Sequence, residues 1–326
     1  MAVLVAGLGY IGAALAETLL ERGEQVVALD NRFSTDNQAI ARLVAAGVQF
    51  VSGDIAVPAD VESALRQAPI ETVYLFAAQS SAHPRAADAV YTERTNLRGP
   101  RVVLDALVRH ECKTLVYASS FKVYGERLSG VIDEQHPYGA FRDLAHLSKV
   151  YSEKLLEMYA GLHGMRCLAL RYGIVHGLGP VCKTDPRFMT APNKFSLQAA
   201  RGEALSVYGG GRTPAGFVHV ADAARAALAV ADDARFTGYT PLNVVGEVAS
   251  VAQVAGWIAE AGATRDLAVQ IAGLDPAGPV DDTARFTVRS GLDALPFQYE
   301  HTLRESADAV LDHFIATERP VAGAIR

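Results

Sequence analysis

The stretch that decides the fold is Ala2-Val3-Leu4-Val5-Ala6-Gly7-Leu8-Gly9-Tyr10-Ile11-Gly12, which runs on into Ala13-Ala14-Leu15-Ala16-Glu17-Thr18-Leu19-Leu20-Glu21. A short apolar run gives way to Gly7, Gly9 and Gly12 in G-x-G-x-x-G spacing. The residues that follow put Ile11, Leu15, Leu19 and Leu20 on one face of a helix. Glycine here permits a tight turn, lets backbone N–H groups approach a pyrophosphate and lets the helix pack close to the strand, while the helix N-terminus favours the phosphate charge. The next apolar run, Gln25 to Leu29, ends at Asp30. A carboxylate there is placed to accept hydrogen bonds from the adenosine ribose and to repel a 2′-phosphate, so NAD is expected rather than NADP. Arg32 is the one signal for NADP, because a guanidinium pairs well with phosphate. A glycine-rich turn that binds no dinucleotide is the bland alternative, and the order strand, turn, helix, acid tells against it.

Outward from this motif, apolar segments alternate with helical patterns. Val3 to Ala6, Gln25 to Leu29, Val48 to Val51, Thr72 to Phe76, Thr114 to Ala118 and Cys167 to Arg171 are read as strands, and Ile11 to Glu21, Thr92 to His110 and Leu144 to Leu162 as helices. The alternation predicts an α/β fold, a Rossmann doubly wound parallel sheet with a smaller C-terminal α/β lobe. Residues 1–172 form the NAD-binding domain in this reading, rejoined at about 216–245, and 173–215 with 246–326 form a substrate-binding lobe. Gly173 to Asn193 shows too little periodicity for a strand ladder, and long irregular segments of this kind usually carry function.

Bulk composition narrows the function. Half of the 326 residues are hydrophobic, and 30 basic residues are nearly balanced by 36 acidic ones, giving a formal net charge of −6. No long basic run is available to neutralise a nucleic-acid backbone, so a small-molecule ligand is expected. The three cysteines, Cys112, Cys167 and Cys182, lack CxxC spacing, so neither a disulfide framework nor a structural metal is expected. No apolar run approaches the roughly 18 residues of a membrane span, and the protein reads as cytoplasmic.

Further motifs follow in order: Gly53-Asp54-Ile55, Phe76-Ala77-Ala78-Gln79-Ser80, Thr95-Asn96-Leu97-Arg98-Gly99, Tyr117-Ala118-Ser119-Ser120-Phe121-Lys122-Val123-Tyr124-Gly125 and Lys149-Val150-Tyr151-Ser152-Glu153-Lys154. Over nearly the whole chain this order resembles the extended short-chain dehydrogenase/reductase family, and within it the NAD-dependent epimerases and dehydratases of nucleotide sugars. The resemblance implies cofactor contacts from Gly7, Gly9, Tyr10, Ile11, Gly12, Asp30, Asn31, Asp54, Ile55, Phe76, Ala77, Ala78, Asn96, Lys149 and Tyr172. Within that set Asp54 would meet the adenine and Lys149 the nicotinamide ribose. Ser120 takes the position of the catalytic Ser or Thr. Substrate contacts are implied for Gln79, Ser80, Ser120, Asn193 and Arg212.

Two departures stand out. One helical turn before Lys149 the family places the tyrosine that serves as general base, its pKa depressed by the lysine charge; this chain has Ala145. A methyl group cannot move a proton. Either the chain is an inactivated variant, or a substitute group serves, with Lys122, His146, His83 and Tyr138 as candidates. Lys122 ranks first because it lies in the Ser120 loop, whereas His146 is turned about 100 degrees from Ala145 around the helix. Phe121 and Lys122 also replace the Asp-Glu pair of members that eliminate water from a 4-keto sugar. A 4,6-dehydratase is therefore disfavoured, and reversible hydride transfer is expected.

In the second half, Leu170-Arg171-Tyr172-Gly173-Ile174-Val175-His176-Gly177 resembles the family segment leading into the substrate lobe, with His176 where a tyrosine is common. Ala215 stands where nucleotide-sugar enzymes place an arginine for the diphosphate. Arg212, Lys183, Arg285 or Arg289 could compensate. The expected substrate is a nucleotide sugar. The alternatives are a dehydrogenase or reductase of a smaller polyol or uronate, and a non-catalytic NAD-bound scaffold or sensor. A homodimer is expected through the helices holding Asn96 and Lys149, with Val102, Leu104, Leu107, Leu155, Leu156 and Tyr159 as contact face or core.

Overall fold

The computed structural model describes residues 1–80, 88–182, 185–274 and 285–318. The first half runs β1 (Ala2–Ala6), α1 (Tyr10–Glu21), β2 (Gln25–Asp30), α2 (Asn37–Ala45), β3 (Gln49–Ser52), α3 (Pro58–Leu65), β4 (Ile70–Leu75), α4 (Ala89–Thr92), a π-helical turn over Glu93–Arg98, α5 (Gly99–Arg109), β5 (Thr114–Ser120), β6 (Gly130–Ile132), α6 (Leu144–His163) and β7 (Arg166–Tyr172). There follow β8 (Ile174–His176), α7 (Ala191–Arg201), β9 (Leu205–Gly210), β10 (Pro214–His219), α8 (Val220–Asp232), β11 (Tyr239–Val244), β12 (Glu247–Ser250), α9 (Val251–Ala263), β13 (Ile271–Leu274), β14 (Phe286–Val288) and α10 (Leu303–Glu318).

Seven strands form one sheet in the order β11-β7-β5-β4-β1-β2-β3, every neighbouring pair parallel. All five residues of β1 are buried, as expected of a strand covered on both faces. On one face α1, α2 and α8 bury Leu15, Leu19, Ile40, Leu43 and Leu228; on the other α3, α5 and α6 bury Leu65, Leu104, Leu107 and Leu156. The chain leaves β1 toward β2 and β3, then crosses to β4 on the opposite side of β1. That reversal is the switch point at which open α/β sheets bind ligands, beyond the C-terminal strand ends. Gly7 follows β1 there and Phe76 follows β4.

The lobe is built from α7, α9 and α10 around Phe195, Leu197, Val254, Ile258, Leu311 and Phe314. It carries a three-stranded sheet in the order β12-β10-β8 and the pair β13-β9. The chain rejoins the large sheet through β11, whereas β10 pairs with β8 and β12. The Gly173 to Asn193 stretch read as irregular contains β8, whose three residues are too few to show a period.

Leu104, Leu107, Leu155, Leu156 and Tyr159 belong to the core, with Val102 packed against it. The outer face of α6 instead exposes Leu147, Tyr151, Met158 and Leu162. Among the described residues no helix is long and apolar enough to cross a membrane.

Candidate functional site

The glycine cradle is held by close backbone packing. Gly7 has φ +104°, and a Cβ there would lie 2.4 Å from the Ala77 nitrogen; a Cβ on Gly12 would lie 1.9 Å from the Gly7 oxygen. Those two glycines let β1, β4 and α1 touch. At Gly9 a Cβ would meet nothing within 4 Å, so the protein leaves the space above it open. Gly9 is the N-cap of α1 and provides no side chain to satisfy the first-turn N–H groups. This arrangement fits a dinucleotide pyrophosphate.

From the cradle an open cleft runs along the strand ends, walled by Asp30, Asn31, Phe33, Thr35, Ile55, Phe76, Ala77, Ala78, Tyr91 and Thr95 among others. Asp30 is nearly buried and its carboxylate is oriented from three directions: Leu8 N donates to Oδ2 at 2.8 Å, Thr35 Oγ1 to Oδ2 at 3.2 Å and Arg32 N to Oδ1 at 2.6 Å. The Arg32 guanidinium turns away to lie 4.9 Å from the Phe50 ring centroid. Asp54 is held behind the wall, accepting from Ala56 N at 2.8 Å, Arg94 Nη2 at 2.8 Å and Asn31 Nδ2 at 3.2 Å. Sequence reasoning missed Phe33 and Tyr91, which stack at the cleft with ring centroids 4.0 Å apart. Two aromatics separated by that much chain give no local signal of their pairing.

The link from this wall to α6 runs through Asn96, the neighbour of Thr95. Asn96, buried on the π-helical turn, receives Gln79 N at 2.8 Å, donates to Gln79 O at 2.8 Å and donates to Ser148 Oγ at 3.0 Å. It thereby ties the segment after β4 to α6. Gln79 is buried and Ser80 exposed. Lys149 is buried; its Nζ donates to Ala118 O at 2.6 Å and lies 4.8 Å from the Tyr117 centroid. Burial pushes its pKa down to about 8, against an upward pull from Glu153. Ser120 Oγ accepts from Lys122 N at 3.2 Å, capping the turn Phe121–Tyr124. Ala145, 6% exposed, sits one helical turn before Lys149.

The candidate bases fall in different places. Tyr138 donates to Glu153 Oε2 at 3.0 Å, and burial raises its pKa, so its hydroxyl is committed. Lys122 is exposed. His146 is part-buried, with Nδ1 2.6 Å from Asp143 Oδ2. His83 lies outside the described residues, as does Lys183.

At the junction with the lobe, Asn193 is spent on Gly177 and Tyr10: Gly177 N donates to its Oδ1 at 3.1 Å, and its Nδ2 reaches Gly177 O at 2.9 Å and Tyr10 Oη at 3.1 Å. The Tyr10 hydroxyl donates to Gly177 O. Tyr172 is buried, packs edge-on against Phe76 and donates to Ala223 O at 3.0 Å. Tyr10 and Asn193 join the halves of the molecule, and Tyr172 ties β7 to the end of β4 and to α8 within the larger one. Arg212 is half-buried between β9 and β10.

A doubly wound sheet with this glycine cradle, an oriented Asp30, and Asn96, Ser120 and Lys149 converging at the sheet's C-terminal edge defines an extended short-chain dehydrogenase-type Rossmann protein. The model of the NAD dependent epimerase/dehydratase family matches residues 3–244, and the chain belongs to that family. A UDP-glucose 4-epimerase of Streptomyces lividans is 30% identical over 240 residues, 69% of this chain and 70% of that one. A putative UDP-glucose 4-epimerase of Methanocaldococcus jannaschii is 28% identical over 230 residues, 70% of this chain and 72% of that one. Among solved structures, the UDP-glucose 4-epimerase of Thermus thermophilus in complex with NAD matches with TM-score 0.79 and 27% identity, covering 100% of both chains.

Proposed function

We propose that the chain holds NAD in the cleft and acts on a nucleotide sugar by reversible hydride transfer at a ring carbinol, in the manner of an epimerase. The observation that carries this reading is the open space above Gly9 at the end of a cleft lined by Asp30, Phe76 and Ala78, with Asn96, next to the lining Thr95, bonded to Ser148 beside Lys149. NAD supplies, when bound, the hydride acceptor and donor. Asp30 orients the adenosine ribose and disfavours a 2′-phosphate; the cradle receives the pyrophosphate; Lys149 holds the nicotinamide ribose; Ser120 holds the reacting sugar oxygen. UDP-glucose 4-epimerases among the relatives support a UDP-sugar substrate. Phe121 and Lys122 in place of an acid-base pair support epimerisation over dehydration.

The apolar stripe Leu147, Tyr151, Met158 and Leu162 on α6 supports a homodimer packed through this helix. Three free cysteines, two of them buried, agree with a cytoplasmic protein.

The test compares the native chain with Ala145→Tyr, using UDP-glucose, UDP-glucuronate and small polyols with NAD. Faster conversion of a UDP-sugar by Ala145→Tyr supports the reading, and activity confined to polyols would replace it with the smaller-substrate dehydrogenase. Tight NAD binding with no turnover by either form would turn it toward the scaffold reading, which the buried Ala145 methyl favours.

A further inference from the structure

We propose that Asp143 and His146 form the proton-transfer couple that stands where the tyrosine is missing, a proposal that rests on the nucleotide-sugar reading above. Asp143 is the N-cap of α6. One of its carboxylate oxygens accepts from His146 N at 2.9 Å, and the other lies 2.6 Å from His146 Nδ1. A single acid therefore fixes both the backbone and the ring of the residue beside Ala145. A carboxylate only accepts, so Nδ1 carries the hydrogen and the neutral ring presents the lone pair of Nε2. Nε2 has no hydrogen-bond partner among the described residues. The side chain is 17% exposed, which leaves it reachable from solvent.

The rotation of about 100 degrees between neighbouring residues argued against His146. In the first turn, however, the ring leans back onto Asp143, on a helix that packs against the Phe121–Tyr124 turn following Ser120. The charge of Lys122, from that turn, acts on both Asp143 and His146, and Lys149 acts on His146 from one helical turn further along. These are the charged groups that bear on the imidazole. Burial is the main cause of its lowered pKa; the hydrogen bond to Asp143 opposes it, and the two lysines add to it. Neutral imidazole is the form able to accept a proton.

In the step proposed, the O–H bond of the sugar carbinol breaks and its proton passes to Nε2. NAD, when bound, would accept the electron pair of the C–H bond as hydride, so that C=O forms as both bonds give way. The imidazolium is held by Asp143, and Nε2 returns the proton to the sugar oxygen when the carbonyl is reduced again by the hydride that bound NAD would supply. His146 is the proposed catalytic residue and Asp143 a positioning residue.

The experiment uses the NAD-loaded native chain, His146→Gln, Asp143→Asn, Ala145→Tyr and the double variant Ala145→Tyr/His146→Gln, with melting curves and NAD titration to verify folding. Epimerisation of UDP-glucose is followed against pH, and carbethoxylation of His146 by diethyl pyrocarbonate is read by mass spectrometry with and without UDP-glucose. The expected results are slow native turnover with an acidic limb and roughly a hundredfold loss in His146→Gln. Asp143→Asn should lower kcat with little change in KM and move the acidic limb to lower pH. The double variant should regain turnover, and UDP-glucose should protect His146 from modification. Native turnover undiminished in His146→Gln, or modification indifferent to UDP-glucose, overturns the proposal. A silent native chain beside an active Ala145→Tyr overturns it too while leaving the nucleotide-sugar reading intact. Silence in every form, Ala145→Tyr included, overturns both.

Discussion

Gly9 and Gly12 belong to one motif but are glycine for different reasons. Gly12 has no room for a methyl because of the protein's own backbone, whereas the room at Gly9 faces outward. Gly9 also has φ −67° and ψ −164°, a conformation alanine adopts without strain. Gly9→Ala should therefore leave the melting temperature nearly unchanged and weaken NAD binding by roughly tenfold or more, about 1.4 kcal/mol or above. Gly12→Ala should cost stability, about 1 to 3 kcal/mol from overpacking, as well as NAD affinity. Thermal melts paired with calorimetric titration separate the two; equal loss of stability in both would refute the assignment of the Gly9 space to a ligand. At this scale the sequence was informative wherever a residue's role follows from local geometry: the glycines, Asp30 and the absence at Ala145. Phe33 and Tyr91 were illegible, because stacking between distant turns leaves no periodic trace. His146 was read by its helical angle alone, and the Asp143 contact that redirects the ring is a property of the cap.

Helix α6 carries most of the proposed chemistry, and what positions it is a buried ion pair. Glu153 and Arg171 of β7 are almost inaccessible, with Nη2 and Oε2 2.7 Å apart. The Glu153 carboxylate also accepts from Ser119, from Tyr138 at 3.0 Å and from Tyr239 at 2.7 Å. One carboxylate thus ties α6 to β5, β7, β11 and the loop before the helix. Glu153→Ala strands a buried guanidinium and should destabilise the fold by about 3 to 5 kcal/mol, measured by urea unfolding. A cost under about 1 kcal/mol would show that the pair is not what fixes the helix. Six strands of the large sheet were legible because apolar runs alternate there with helical periods, whereas β11, which is followed by β12 rather than by a helix, was not read as a strand. The small sheet was not legible either: β8 and β12 have three and four residues, and their pairing with β10 is long-range.

Across the whole molecule, the junction of sheet and lobe holds three histidines. His176 is 1% exposed, its ring centroid is 5.4 Å from that of His219, and His219 stacks on His301 at 4.2 Å. Burial, then the neighbouring histidines, pushes the His176 pKa down to about 3; burial and then His301 push that of His219 down to about 4. Unfolded histidine titrates near 6.5, so the unfolded chain takes up protons first as pH falls. The stability contributed by keeping these rings neutral is complete above about pH 6.5 and is lost progressively from there toward pH 4 and 3. For the buried His176 the slope is about 1.4 kcal/mol per pH unit within that window. Melting temperature should fall between pH 7 and pH 5, and His176→Asn should flatten the decline; an unchanged slope would contradict the buried neutral ring.

The central claim is that the cleft beside the Gly7-Gly9-Gly12 turn is a site for NAD, with Asp30 selecting against a 2′-phosphate. Calorimetric titration of the purified chain, stripped of nucleotide, with NAD⁺ and separately with NADP⁺ tests it most directly. NAD⁺ should bind at one site per chain, at least about tenfold tighter than NADP⁺. No binding of either, or tighter binding of NADP⁺, would contradict the account.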